Sequence, residues 1–226
     1  MHINPWPYYD KEQKNAVNRI LSSGKVNQWT GNETKMFEKE FAEYVSSSHA
    51  IAVSNGTVAL YLAYKALGIK NDDEIITTPR TFIATSSAAA VLGAKPIFAD
   101  VDADSGCITA EAIEPLITKK TKVISVVHIG GWPASMDKII ELAKKYNIKV
   151  VEDCSQAHGA FINNKPVGSF GDISVWSFCQ DKIISTAGEG GIITTSSKKY
   201  FDFMWSYKDH GKSLDLIKKI KPNNKF

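Results

Sequence analysis

An alternation running through most of the chain constrains the fold more than any other feature. Apolar runs rich in β-branched residues recur over residues 51–54, 74–78, 96–101, 123–128, 149–153, 173–178 and 191–195. Helical patterns separate most of them, over 58–67, 82–92, 110–117 and 135–146. Strands that are apolar throughout need cover on both faces. Strand–helix–strand repetition provides it by laying helices on either side of a parallel sheet. The prediction is an α/β three-layer sandwich with a mostly parallel seven-stranded sheet. Runs 173–178 and 191–195 have no helix between them. Their connection is too short for an ordinary parallel crossover, which points to one of the two running antiparallel.

Outside this core, residues 10–23 read as a helix ended by Gly24. A second helix over 33–45 sets Phe37, Phe41, Tyr44 and Val45 on one face. The loop between them carries Trp29, and a last helix covers about 197–210. No linker, repeat or low-complexity segment divides the 226 residues, so one domain is expected, with an N-terminal arm over about 1–31. The formal charge of +3 is small and dispersed, which argues against a nucleic-acid partner; the basic stretch from Lys218 to Lys225 reads as a solvated tail. Cys107, Cys154 and Cys179 show no close pairing, as in a reducing compartment. The first residues lack a signal-peptide pattern, and no apolar run approaches the roughly 20 residues needed to span a bilayer. The expectation is a soluble, cytoplasmic protein with no membrane partner.

Sheets of this kind bind ligands beyond the carboxyl ends of their strands. After the first run comes Ser54-Asn55-Gly56-Thr57 and then a helix. Free N–H groups and the helix dipole suit an anion there, although the plainer reading is a cap and tight turn. After the second comes Thr78-Pro79-Arg80-Thr81-Phe82. Phe82 suits stacking on a planar ligand, or, more plainly, opens a helix from the core. After the fifth comes Glu152-Asp153-Cys154-Ser155-Gln156-Ala157-His158. An acid ending an apolar strand is costly to bury without a positive partner. Asp153 suits the protonated nitrogen of a heterocycle or, equally, a cap, and Gln156 reaches the same ligand if a helical turn follows. His158 reads as a packed or hydrogen-bonded histidine. Cys154, His158 and Cys179 lack a metal-ligand spacing, and no metal is expected. After the sixth come Ser177 and Lys182, then Gly188-Glu189-Gly190-Gly191. A lone lysine at a strand end is ordinarily just solvated. Together these residues offer an anion site, a stacking ring, a carboxylate for a pyridinium nitrogen and a lysine for a Schiff base. Those are the parts that pyridoxal 5'-phosphate needs.

The same stretches resemble the sugar aminotransferase family typified by DegT, DnrJ, EryC and StrS, of the aspartate-aminotransferase fold type. The resemblance rests on Ser-Asn-Gly-Thr-Val-Ala-Leu at 54–60, Thr-Phe-Ile-Ala-Thr at 81–85, Gly-Ala-Lys-Pro-Ile-Phe-Ala-Asp-Val-Asp at 93–102, Val-Glu-Asp-Cys-Ser-Gln-Ala-His-Gly-Ala at 151–160, Gly-Ser-Phe-Gly-Asp at 168–172 and Ser-Phe-Cys-Gln-Asp-Lys at 177–182. It implies that Lys182 carries the cofactor and acts as base, and that Asp153 partners the ring nitrogen. It also implies that Gln156 lies near the ring hydroxyl, Phe82 stacks on the ring, and Gly56, Thr57 and Ser177 contact the phosphate. The reaction implied is transfer of an amino group, from glutamate, to a nucleotide-linked keto-sugar, in the making of amino sugars for a surface polysaccharide. Relatives with histidine in place of the lysine are dehydratases; Lys182 favours amino transfer. Asp181 and Ala187 depart from the commonest family wording. Members of the family run on past the position of Phe226 into a small C-terminal domain, and they complete the active site across a homodimer interface. The resemblance therefore implies a large domain without its small domain, and beside the aminotransferase it leaves three alternatives: a truncated non-catalytic remnant, one half of a split enzyme served by a partner chain, or a sugar dehydratase using the same cofactor.

Overall fold

A computed structural model describes residues 6–219. Residues 1–5, and the basic stretch beyond Lys219, lie outside the described residues. The strands are β1 (His49–Val53), β2 (Glu74–Thr77), β3 (Lys95–Phe98), β4 (Thr121–Val127), β5 (Lys149–Asp153), β6 (Phe161–Ile162), β7 (Lys165–Pro166), β8 (Ile173–Ser177) and β9 (Gly191–Thr195). The helices are α1 (Lys11–Ser23), α2 (Glu33–Tyr44), α3 (Gly56–Ala66), α4 (Ala84–Val91), α5 (Ala110–Ile113), α6 (Met136–Tyr146), α7 (Lys198–Lys208) and α8 (Leu214–Lys219).

Seven strands form one sheet in the order β1-β9-β8-β5-β4-β2-β3. β9 runs antiparallel to both its neighbours, and the other pairings are parallel. The antiparallel strand expected near the end of the sheet is therefore β9. Because β9 returns beside β8, their connecting loop stays at the carboxyl edge of the sheet, and Lys182 lies on it.

Alternation along each strand sends side chains to the two faces of the sheet, where they join three clusters. Ile75, Val123, Val151, Val175 and Ile193 pack with residues of α3, α4 and α7. Their neighbours Ile76, Ile124 and Val150 pack with α6. Trp176 and Ile192 pack with Phe41, Ala42 and Val45, at and just after the end of α2. Each fully buried side chain of this size contributes about 1.5–3 kcal/mol. Packing of this kind holds even α4, whose eight residues are too few for a helix stable alone. Buried Ala84, Ala88 and Ala89 let α4 come close to the sheet, which matters for the site below.

Several boundaries differ from expectation. The helix expected over 82–92 starts at Ala84, so Phe82 lies on a loop. The helix expected over 110–117 ends at Ile113 and tightens into a 3-10 turn at 114–116, because Pro115 has no N–H for the next helical bond. The strand expected to reach 101 stops at Phe98. On α2, Tyr44 is 48% exposed while Phe41 and Val45 are buried. The β6–β7 hairpin and α8 are additional elements. Asn163 and Asn164 both adopt positive φ, 48° and 62°, in the tight turn of that hairpin.

Candidate active site

A cleft of about 430 Å³ opens at the carboxyl edge of the sheet. Its lining includes Gly56, Thr57, Phe82, Asp153, Gln156, Ser177 and Lys182, so the fold brings all seven expected residues to one place. A larger groove of about 710 Å³, between α2, α7 and α8, shares none of them. The smaller cleft is the better candidate because chemically diverse groups converge in it.

The anion corner is built by α3. Asn55 caps the helix, its side chain accepting the Val58 N–H at 2.9 Å. First-turn N–H groups such as those of Gly56 and Thr57 have no acceptor inside a helix and are available to an anion. Gly56 has to be glycine: a Cβ there would stand 2.9 Å from the Ser177 Cβ. Gly191 is equally constrained, since its Cβ would meet the Asn55 backbone at 2.5 Å. Close packing of α3 on β8 and β9 thus places the Ser177 hydroxyl beside the open turn.

Asp153 ends β5 and is buried. Its Oδ1 accepts the Ser155 N–H at 3.2 Å, and its Oδ2 accepts the Thr85 hydroxyl at 2.8 Å. Gln156 follows in the next turn, where its Oε1 accepts the Gly130 N–H at 2.7 Å. The oxygen being engaged, the amide nitrogen of Gln156 is left to donate to a ligand. Phe82 is 67% exposed at the rim. It is not a core residue opening a helix, and its ring face is free to cover a planar group.

Lys182 sits on the long β8–β9 connection, whose position is set by several bonds. The Lys182 N–H donates to Cys179 O at 3.0 Å, the Thr186 N–H donates to Phe178 O at 3.1 Å, and Cys179 bridges to Gly188. The lysine side chain is only 19% exposed, and its Nζ donates to Asp181 Oδ2 at 2.9 Å. That bond is the main reason the Asp181 carboxyl is held below its ordinary pKa. Cys179 and Glu189 also line the mouth, with the thiol 3.4 Å from Glu189 Oε1.

His158 is packed, as expected, between Trp176 and Phe178, with ring centroids 5.4 and 5.3 Å away. Neither ring nitrogen completes a hydrogen bond among the described residues. Burial drives its pKa down to about 4, outweighing an opposite pull from the Ser177 backbone.

A different buried trio, His128, Glu152 and Cys154, has its polar atoms within 4.8 Å of one another. Its lone pairs are already engaged. Glu152 accepts the N–H groups of Gly168, Phe170 and Gly171, and His128 Nδ1 accepts the Ala134 N–H. Burial also raises the Cys154 thiol well above its ordinary pKa. The trio is a clamp on the turn before β8 rather than a cation site. Sequence reasoning read the cap at Asn55 but missed Thr85 and Glu152. A usable signal existed for Glu152, since a buried acid needs partners wherever it stands in a strand.

Comparison with known proteins agrees with this architecture. The profile of the DegT/DnrJ/EryC1/StrS aminotransferase family matches residues 7–222. The structure of an aminotransferase from Psychrobacter cryohalolentis superposes with a TM-score of 0.95 at 50% identity, covering 99% of this chain and 57% of that one. GDP-perosamine synthase of Escherichia coli O157:H7 is 43% identical over 205 residues, which are 91% of this chain and 56% of that protein. NtdA of Bacillus subtilis, solved with bound cofactor PMP, superposes with a TM-score of 0.84 at 30% identity, covering 94% of this chain and 47% of that one. The chain thus spans about half the length of the relatives it matches. With the profile matched over nearly its whole length and the sheet shared with solved members, this chain belongs to the DegT/DnrJ/EryC1/StrS aminotransferase family.

Proposed function

We propose that the cleft holds pyridoxal 5'-phosphate and that the chain is the cofactor-binding part of an aminotransferase acting on nucleotide-linked keto-sugars. One observation carries the reading: a sheltered lysine, a buried carboxylate and the open first turn of a helix face a single cleft. The donor set fits the cofactor group by group. Gly56 and Thr57 offer backbone N–H groups, and Ser177 a hydroxyl, to the phosphate. Asp153 holds a proton on the ring nitrogen. Gln156 offers its amide N–H to the ring hydroxyl, and Phe82 covers a ring face. When bound, the cofactor supplies an electron sink and carries the amino group between substrates.

Lys182 is the catalytic residue of this reading. With the cofactor bound, its Nζ would be the group that holds the aldehyde. The same amine, when free, would be the base that takes and returns the proton of the donor carbon. Asp181 is the resting partner of that nitrogen.

Two relatives are named for nucleotide-linked sugars, GDP-perosamine synthase and a dTDP-3-amino-3,6-dideoxy-alpha-D-galactopyranose transaminase. Those names support a keto-sugar acceptor and a place in amino-sugar synthesis; glutamate as donor rests on the family resemblance. The substrate side of the site is completed by a second copy in a homodimer, or by the part of the longer relatives that this chain does not span. A cytoplasmic setting is supported by three free cysteines and by the lack, among the described residues, of any helix long and apolar enough to cross a membrane.

The test is reductive trapping. The chain is incubated with pyridoxal 5'-phosphate, reduced with borohydride and mapped by mass spectrometry. A single adduct on Lys182, absent from Lys182→Ala and diminished when glutamate precedes reduction, is the expected result. Labelling scattered over surface lysines, unchanged in Lys182→Ala, would overturn the assignment.

A further inference from the structure

The Thr-Phe-Ile-Ala-Thr stretch at 81–85 contributes Phe82 to the site, but its two threonines have no part in the reading above. The structure gives them one. The Thr85 hydroxyl is fully buried and donates to Asp153 Oδ2 at 2.8 Å. The Thr81 hydroxyl stands 2.8 Å from the Thr85 hydroxyl. Thr85 has a single hydroxyl proton and commits it to the carboxylate, so the Thr81–Thr85 bond runs with Thr81 as donor. Thr81 in turn lines the cleft. The two hydroxyls therefore form a directed relay from the rim of the cleft to the inner oxygen of Asp153.

The relay is held from behind. Tyr64 on α3 is fully buried, and its hydroxyl lies 3.0 Å from the Thr85 carbonyl and 2.8 Å from the Ser125 hydroxyl. The Thr77 hydroxyl donates to the Ser125 carbonyl at 2.9 Å. Helices α3 and α4 and strands β2 and β4 are thus tied together at the point where Thr85 meets Asp153. A group serving only to fill space would need none of these bonds.

We infer that Thr85 is a positioning residue for cofactor recognition: with the Ser155 N–H it fixes the plane of the Asp153 carboxylate, so that a free lone pair faces the ring nitrogen. Thr81 keeps the Thr85 hydroxyl pointing the right way. The inference rests on the cofactor reading of the cleft and deepens it. A carboxylate is held in plane when both its oxygens are engaged by fixed donors. With only the Ser155 bond left, the Asp153 side chain swings about its terminal torsion, which is broad and roughly two-fold. The lone pair then has to be ordered by the ligand itself, which weakens binding.

The test uses the intact chain and two ligands that cannot bond covalently to Lys182. They are pyridoxine 5'-phosphate and its analogue with carbon in place of the ring nitrogen. Wild type is expected to prefer the first. Thr85→Val, nearly the same shape, should weaken pyridoxine 5'-phosphate by about tenfold, the scale of a lost hydrogen bond to a charged group. It should leave the carbon analogue within about twofold. Thr85→Ser restores the hydroxyl and should restore the preference, and Thr81→Val should show a smaller loss of the same kind. Equal weakening of both ligands by Thr85→Val would make the residue merely structural and overturn the inference, as would no weakening of either. Wild type that binds neither ligand would instead overturn the cofactor reading, and the inference with it.

Discussion

Glu152 and Asp153 are adjacent acids on β5, and a strand sends adjacent side chains to opposite faces. Asp153 meets the cleft, whereas Glu152 faces the other core and is fully buried. Glu152 Oε1 accepts N–H groups from Phe170 at 2.8 Å and Gly171 at 2.6 Å. Its Oε2 accepts the Gly168 N–H at 2.8 Å and lies 3.1 Å from His128 Nε2. Because His128 Nδ1 accepts the Ala134 N–H, the proton of a neutral ring sits on Nε2 and points at Glu152. All four groups are donors, so Glu152→Gln cannot satisfy them. An amide nitrogen at either position leaves two donors without an acceptor. Each buried unsatisfied group costs about 1–3 kcal/mol, giving about 4 kcal/mol in all. A chain of this length loses about 2–4 °C of Tm per kcal/mol, so Glu152→Gln should melt about 8–16 °C lower by far-ultraviolet circular dichroism. Asp153→Asn is the matched control. The Thr85 hydroxyl can rotate to accept where it had donated, so this variant should stay within about 1 kcal/mol of wild type in stability while losing the ring-nitrogen preference. The acid limb adds a second reading. Burial works against ionisation of Glu152, but the hydrogen bond from His128 and the backbone donors outweigh it and hold its pKa below the ordinary value. The stabilisation is present above the unfolded pKa and lost as pH falls through the depressed folded one; Glu152→Gln should flatten that fall. A loss of less than about 1 kcal/mol at neutral pH would refute the clamp.

Two further variants probe the surroundings of Lys182. His158 has an ordinary pKa of 6.5 that burial lowers to about 4, so between those values the unfolded chain takes up a proton that the folded chain refuses. The penalty grows to about 3 kcal/mol as pH falls across that window, and His158→Leu should remove it, with a higher urea midpoint than wild type near about pH 5. Ala187, in the loop after Lys182, adopts φ 63°, a region that costs an L-residue about 1–2 kcal/mol. Glycine relieves that strain but loses more entropy on folding, so Ala187→Gly should stabilise by up to about 1 kcal/mol; a clear destabilisation in urea titrations would show that the Ala187 methyl packs.

How far the site was legible depended on whether its determinants were local. Strands β5 and β9 run over the residues read from sequence, because burial on both faces leaves an unbroken apolar run. The order of the sheet, with β9 between β1 and β8, has no such local trace, since it depends on pairings between residues as distant as His49 and Thr195. The same division separates the site residues. Asp153 and Lys182 follow apolar runs and stand out as charges where strands end. Glu152 carried the same signal one position earlier, but its partners lie at 128 and 168–171 and no local pattern announces them. Thr85 gave no signal, because a threonine in a small-residue helix looks like any other until the helix is laid over β5. Phe82 was legible as an aromatic at the mouth but not as an exposed one. Its exposure follows from the loop that delays α4 until Ala84.

The residues that face the cleft from the sheet and helices are held by rigid elements, but Lys182 is on a loop. Its placement is nonetheless built in. The loop is pinned near its base by Thr186 on Phe178 and by the Cys179–Gly188 bridge, and at Ser185 by Tyr9 from the N-terminal arm at 3.0 Å. Tyr9 directly precedes Asp10, the cap of α1, whose carboxylate and the Gln13 side chain close reciprocal bonds. All 13 residues of α1 are exposed or half-buried, so the helix gains little from core packing. A well-capped helix with so little burial is poorly explained by stability, but it is a sound means of carrying Tyr9 to Ser185. Three supports, one of them from the N-terminal arm, then restrain the loop. On the proposed cofactor reading, a loop held in this way keeps the Lys182 amine, now paired with Asp181, within the cleft where the aldehyde would be bound.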